Sequence, residues 1–150
     1  MPQSLVCLPV HFVFSTKGRE PWIGDEWADR LYGYIGGIAH AEKCQLLAAG
    51  GMPDHIHLLI SVARTIALAD LMRVVKANSS KWVHETFPTH GAFAWQEGYS
   101  VFSVSKSQEE IVKKYIAGQA EHHKKEDFKS ELLRILRAHG VECDQKHVFD

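Results

Sequence analysis

At 150 residues, with 45% hydrophobic and 23% charged side chains, the chain has the balance of a single globular domain spanning 1–150, large enough to bury its own core. A formal net charge of −1 excludes a uniformly basic binder of polyanions, so any nucleic acid has to meet a local patch, and ten histidines make the charge sensitive to mild acid. Three scattered cysteines, no apolar run of membrane length and no signal-peptide pattern point away from disulfide frameworks, structural zinc and membranes, and towards a reducing cytoplasm.

Leu5 to Ser15 is branched and aromatic and reads as a first strand, with Pro9 implying an edge position or a bulge. Thr16 to Gly24 is a loop. Asp25 is a candidate N-cap for a helix carrying Trp27, Leu31, Tyr34, Ile35 and Ile38 at helical spacing. Cys44 to Ala49 is a short strand that forms a hairpin with His55 to Val62 around Gly50-Gly51-Met52-Pro53-Asp54. Leu68, Leu71, Met72, Val75 and Trp82 mark a second amphipathic helix. Phe93 to Ser105 reads as a further strand, bent at Gly98. Ser107 to Glu110 fits a capping box that opens a helix bearing Ile111, Val112, Tyr115, Ile116 and Gln119. A last helix runs from about Asp127 to His139 and closes at Gly140. This order suggests an α+β, ferredoxin-like antiparallel sheet with helices packed on one face.

Side chains alternate across a strand, so Ile56, Leu58 and Ile60 face the core while His55 and His57 stand together on the other face. Two imidazoles so placed can reach one divalent cation. Tyr115 and Gln119 are one helical turn apart and share a face. A phenol with a pKa near 10 is only about 0.1% ionised at pH 7, but a nearby cation polarises a phosphate and favours attack. The carbonyl oxygen of Gln119 can complete a His-His-Gln coordination set. Taken singly, each feature has an ordinary reading: exposed histidines at a hairpin mouth, and a core tyrosine with a wet hydroxyl.

Taken together, the ordered segments Gly50 to Ile60, His11 to Lys17, Trp95 to Tyr99 and Tyr115 to Gln119 followed by His122-His123 resemble the one-tyrosine HUH transposases. That family comprises small insertion-sequence transposases and their REP-associated relatives, and the resemblance covers nearly the whole chain. It implies an HUH-type fold in which Tyr115 is the nucleophile on single-stranded DNA. A 5′-phosphotyrosine link would form while a 3′-hydroxyl leaves, with Mg²⁺ or Mn²⁺ held by His55, His57 and Gln119. It also implies recognition of DNA hairpins and a homodimer, with active sites assembled in cis or in trans. Covalent capture retains the reactivity of the phosphodiester, which suits cutting and rejoining without ATP.

Lys17, Arg19, Lys76, Asn78, Ser79 and Lys81 are candidate DNA contacts, while His122-His123 with Lys124-Lys125 is expected at the surface. Two other functions compete. A metal-dependent phosphoesterase would turn over without a covalent adduct and without Tyr115. A domesticated, non-cutting hairpin binder would bind DNA with steep salt dependence, independently of His57.

Overall fold

Two strands with opposite chemistry on their two faces set the architecture. On β1 (Pro9–Ser15), Val10, Phe12 and Phe14 belong to one core, while Val13 belongs to a second; on β3 (His55–Ser61), Ile56, Leu58 and Ile60 join the first. The computed structural model describes residues 2–150 and contains α1 (Asp25–Ala41), β2 (Gln45–Met52), α2 (Leu68–Thr86), β4 (Ser100–Ser103), α3 (Glu109–Ala117), the single turn α4 (Gln119–His122) and α5 (Phe128–Ala138). The four strands form one sheet in the order β2-β3-β1-β4, and every neighbouring pair is antiparallel. This is the expected α+β, ferredoxin-like arrangement.

Helices α1 and α2 cover the first face, with Trp27, Leu31, Ile35, Leu71, Met72 and Val75 packed on the strands. Tyr34 stacks on Trp82 between the two helices, ring centroids 5.2 Å apart. The expectation of helices on one face is corrected: a second helical layer lies on the opposite face. Phe128, Leu132, Ile135 and Leu136 of α5 pack there on Val13 and Phe102. A sheet with apolar residues on both sides has to be covered on both, and the amphipathic α5 supplies that cover.

Local signals account for both ends of α5 and for the turn between β2 and β3. The Asp127 side chain caps α5 by accepting from the Ser130 amide at 2.9 Å, worth about 1 kcal/mol. Gly140, at φ +67°, ends α5; the Val141 amide donates to the Leu136 carbonyl at 2.9 Å and that of Gly140 to Arg137 at 3.1 Å. Gly50 lets α3 approach the sheet, because a Cβ there would collide with the Ile116 carbonyl. Residues Met52 and His55 pair directly, so Pro53-Asp54 is a two-residue hairpin turn.

Four further expectations change. β1 is a central strand, and Pro9 is tolerated because it opens the strand. Gly24, not Asp25, is the N-cap of α1. The capping box at Ser107 does not form: Lys106–Gln108 makes a 3-10 turn, and α3 starts at Glu109 without a side-chain cap. The strand expected over Phe93–Ser105 is reduced to β4 plus one bridge between Thr16 and Trp95. Lys76 explains the break. Its ammonium donates to the carbonyls of Gln96 (2.9 Å), Glu97 (3.2 Å) and Gly98, which turns them away from a ladder.

Candidate active site

The site lies on the second face of the sheet, where β3, α3, α4 and α5 meet. The hairpin turn sends His55 and His57 into this layer, and both are fully buried. Gly50 admits the end of α3, which carries Tyr115 over the sheet; the helix expected to run on through Gln119 is interrupted at Gly118, and Gln119 opens α4 while still reaching His55. Gln119 Oε1 lies 3.2 Å from His55 Nε2, and the Tyr115 ring is 5.8 Å from that of His57. Tyr115, Gln119, His55 and His57 are thus brought together within a single chain.

At their centre stands a residue with no part in the sequence reading. Glu131 of α5 is fully buried and makes contacts with both of its oxygens. Its Oε1 accepts from His57 Nε2 at 3.0 Å and lies 3.2 Å from His123 Nε2 and 3.5 Å from His55 Nε2. Its Oε2 accepts from the Tyr115 hydroxyl and from Gln119 Nε2 at 3.1 Å. One signal was available: Glu131 falls on the same helical stripe as Phe128, Leu132 and Ile135, where a charge is out of place unless it is paired. His123 is a correction. It was expected at the surface, but its side chain is 6% exposed and 2.9 Å from Gln119 Oε1, because α4 is a single turn that folds the chain back.

A further set of partners orients the imidazoles. His55 Nδ1 donates to Asp54 Oδ1 at 2.7 Å, which fixes the ring with Nε2 turned towards Gln119 and Glu131. His57 Nδ1 shares a 2.9 Å hydrogen bond with His11 Nε2. Phe128 stacks on His55 at 4.1 Å between centroids. His55, His57, His123 and Glu131 each offer a ligand atom, and these atoms all lie within 4.8 Å of one another. Three imidazole nitrogens, one of them on the ring oriented by Asp54, and one carboxylate fit a divalent cation.

Electrostatics follow from this packing. Burial and the neighbouring His57 lower His11 to about 3, so it stays neutral. Burial also pushes His57 down, against the pull of Glu131. Burial opposes charge on His55, but Asp54 and Glu131 outweigh it and raise the imidazole. Glu131 is likewise penalised by burial, yet hydrogen bonds from His55 and His57 hold it well below the usual carboxylate range. Burial and Glu131 push the Tyr115 phenol upward, so it rests protonated. Arg134 Nη2 donates to the same phenolic oxygen at 3.2 Å and is anchored by Glu126 at 3.2 Å.

The candidate DNA contacts separate into two groups. Lys17 and Arg19 line a cleft of about 620 Å³ with Lys129, Lys146 and Phe149. Arg19, in the left-handed region at φ 57°, sets its guanidinium 5.4 Å over the Phe149 ring and also borders the recess containing His123 and Asp54. The other four lie on α2, across the sheet from the histidines. Ser79 cannot contact DNA: it is fully buried, donates to the Val75 carbonyl at 2.6 Å and accepts from Trp95 Nε1 at 2.9 Å. Lys76 is committed to the carbonyls of Gln96 to Gly98, and burial lowers it to about 8. Asn78 and Lys81 are exposed.

Comparison with known proteins places these features in context. A model of the family described as "Transposase IS200 like" matches residues 4–119. The chain is 28% identical over 117 residues to the ISDra2 transposase TnpA of Deinococcus radiodurans, covering 75% of this chain and 84% of that protein. Among solved structures it is similar to a Deinococcus radiodurans R1 protein described as a transposase, with 28% identity, a TM-score of 0.63, and coverage of 79% of this chain and 98% of that one. A REP-associated tyrosine transposase bound to a REP hairpin shares the fold at 12% identity and a TM-score of 0.60, covering 82% of this chain and 73% of that one. Glu131 and His123 lie beyond the stretch that the family model matches. Among the described residues, no helix is long and apolar enough to cross a membrane.

Proposed function

The chain belongs to the IS200-like family of DNA transposases, and we propose that it cleaves and rejoins single-stranded DNA through a 5′-phosphotyrosine link on Tyr115. The observation that supports this reading is the convergence of the Tyr115 hydroxyl, Gln119 and the His55/His57 pair on one buried carboxylate.

Tyr115 Oη attacks the phosphorus, the Oη–P bond forms, and the P–O3′ bond breaks with its electron pair leaving on O3′. The phenolic hydrogen is already directed at Glu131 Oε2, its nearest acceptor. Arg134 donates to the phenolic oxygen and offsets the negative charge that develops as the proton is lost. His11 and Asp54 hold the two imidazoles in orientation from behind. A divalent cation held by His55, His57 and Gln119 would polarise a phosphate oxygen and draw off charge in the transition state. Imidazole ligands favour Mn²⁺ over Mg²⁺ in affinity.

Hairpin recognition belongs to the same reading. It is supported by the REP hairpin carried by the fold neighbour and by the basic cleft beside the site, in which Lys17 and Arg19 would meet phosphates. Asn78 and Lys81 would meet only a strand that passes round to the α2 layer. The chain would act as a homodimer, and because each chain brings its own Tyr115 to its own histidines, the sites would work in cis.

The test is incubation of the full chain with end-labelled single-stranded oligonucleotides bearing a hairpin, plus Mn²⁺, resolved on denaturing gels. The wild type forms a protein-linked product, and Tyr115→Phe forms none. A protein-linked product from Tyr115→Phe, or turnover without any adduct, overturns the assignment and favours the phosphoesterase.

A further inference from the structure

A buried carboxylate has to be balanced by positive charge, and the surroundings of Glu131 supply none that is permanent. Among the described residues its ion-pair partners are His55, His57, His122 and His123, all of them histidines, with no lysine or arginine. A set of two histidines and an amide has the converse problem, since it places a divalent cation in a buried site with no anion of the protein to meet it before a DNA phosphate arrives. Each charge answers the other, and hard cations such as Mg²⁺ and Mn²⁺ prefer carboxylate oxygen in their ligand set.

The two oxygens of Glu131 face different partners. Oε1 is directed at three imidazole Nε2 atoms, at 3.0, 3.2 and 3.5 Å. Oε2 is directed at the Tyr115 hydroxyl and the Gln119 amide. We infer that Glu131 is a two-ended residue of the active site: through Oε1 it joins His55, His57 and His123 in holding the cation, and through Oε2 it sets the position of the Tyr115 hydroxyl relative to that cation. The inference rests on the metal-dependent reading given above and deepens it. It makes His123 a ligand and Glu131 the element that registers nucleophile against metal, and it assigns both roles to the stretch after α3.

The experiment is Mn²⁺ binding to the full chain by titration calorimetry, together with pulsed electron paramagnetic resonance of the bound ion. The wild type is expected to bind one Mn²⁺ with three directly coordinated imidazole nitrogens. Glu131→Gln weakens binding at least tenfold, while Glu121→Gln, a change at an exposed residue paired with Lys124, leaves it unchanged. Cleavage by Glu131→Gln stays low even at saturating Mn²⁺, because the tyrosine has lost its anchor. Recovery of the wild-type rate at saturating Mn²⁺ overturns the two-ended role. Unaltered Mn²⁺ affinity in Glu131→Gln, or a spectrum with only two imidazole couplings, overturns the ligand set while leaving the metal-dependent reading in place. Absence of Mn²⁺ binding by the wild type removes that reading and this inference with it. Should Glu131→Gln fail to fold, the nitrogen count on the wild type and the affinity of His123→Asn decide the matter.

Discussion

His11 on β1 and His57 on β3 are bonded ring to ring at 2.9 Å, with their centroids 5.1 Å apart, in the buried layer behind the candidate nucleophile. His11 is not in the group of side chains able to share a cation, and it acts on the site through the His57 ring it holds and the Tyr115 ring it borders at 6.4 Å.

Burial of His11, reinforced by the neighbouring His57, predicts acid lability. The folded value of His11 is lowered to about 3 from an unfolded 6.5, so between those limits the unfolded chain takes up a proton that the folded one refuses. Stability therefore falls as pH drops through that window, by up to about 2 kcal/mol at pH 5. Raised His55 works in the opposite sense, since its contribution is present at low pH and lost as pH rises. Comparison with His11→Gln isolates the first effect: in chelator-treated protein, urea midpoints measured at pH 5 and 7.5 should differ less for the variant than for the wild type.

Arg134 should matter to rate rather than to fold. Its guanidinium is half-exposed and touches the phenolic oxygen at 3.2 Å. Replacement by Gln is expected to slow formation of the covalent adduct on the order of tenfold, less than the loss of a fully buried donor costs. The thermal midpoint should hardly move. Single-turnover kinetics alongside a melting curve check both parts.

Gly50 tests how α3 is seated. A side chain there meets the Ile116 carbonyl, one residue from Tyr115. Gly50→Val is expected to destabilise the fold by about 1–3 kcal/mol and to reduce adduct formation by displacing the helix. Gly33→Val, where a Cβ meets nothing, provides the comparison for mutation of a glycine as such.

The DNA contacts can be sorted by salt. Lys17→Ala and Arg19→Ala should each reduce the slope of log affinity against log salt by about 0.7 on a single strand. Ser79→Ala removes the acceptor for the buried Trp95 indole. It should lower stability by about 1–3 kcal/mol and leave the salt slope intact. Fluorescence anisotropy at several salt concentrations distinguishes the two behaviours.

What could be read from the sequence was what depends on neighbours in the chain. Alternation on β3 separates Ile56, Leu58 and Ile60 from His55 and His57 without knowledge of any other element. Helical spacing anticipates Tyr115 and Gln119 side by side, although the helix is interrupted between them at Gly118, and the start and stop of α5 are written in Asp127 and Gly140. The rest depends on distant parts meeting. Glu131 acquires its role only because α5 lies back over the sheet, and His123 is buried only because α4 stops after one turn. Ser79 was grouped with its polar neighbours, although it follows Met72 and Val75 on the buried stripe of α2. The strand expected across Gln96 to Gly98 was overridden by a lysine twenty or more positions earlier, a competition invisible to local propensity.

The layout of α5 bears on how the molecule should be handled at the bench. A fragment trimmed where the family model's match stops, at residue 119, would retain Tyr115, Gln119, His55 and His57. It would also lose His122 and His123 and strip Phe128, Leu132, Ile135 and Leu136 from the sheet. The imidazoles would then sit under water instead of under a helix, and an oily strand surface would be left open to self-association. Expression boundaries for this protein are better drawn from its packing than from its pedigree.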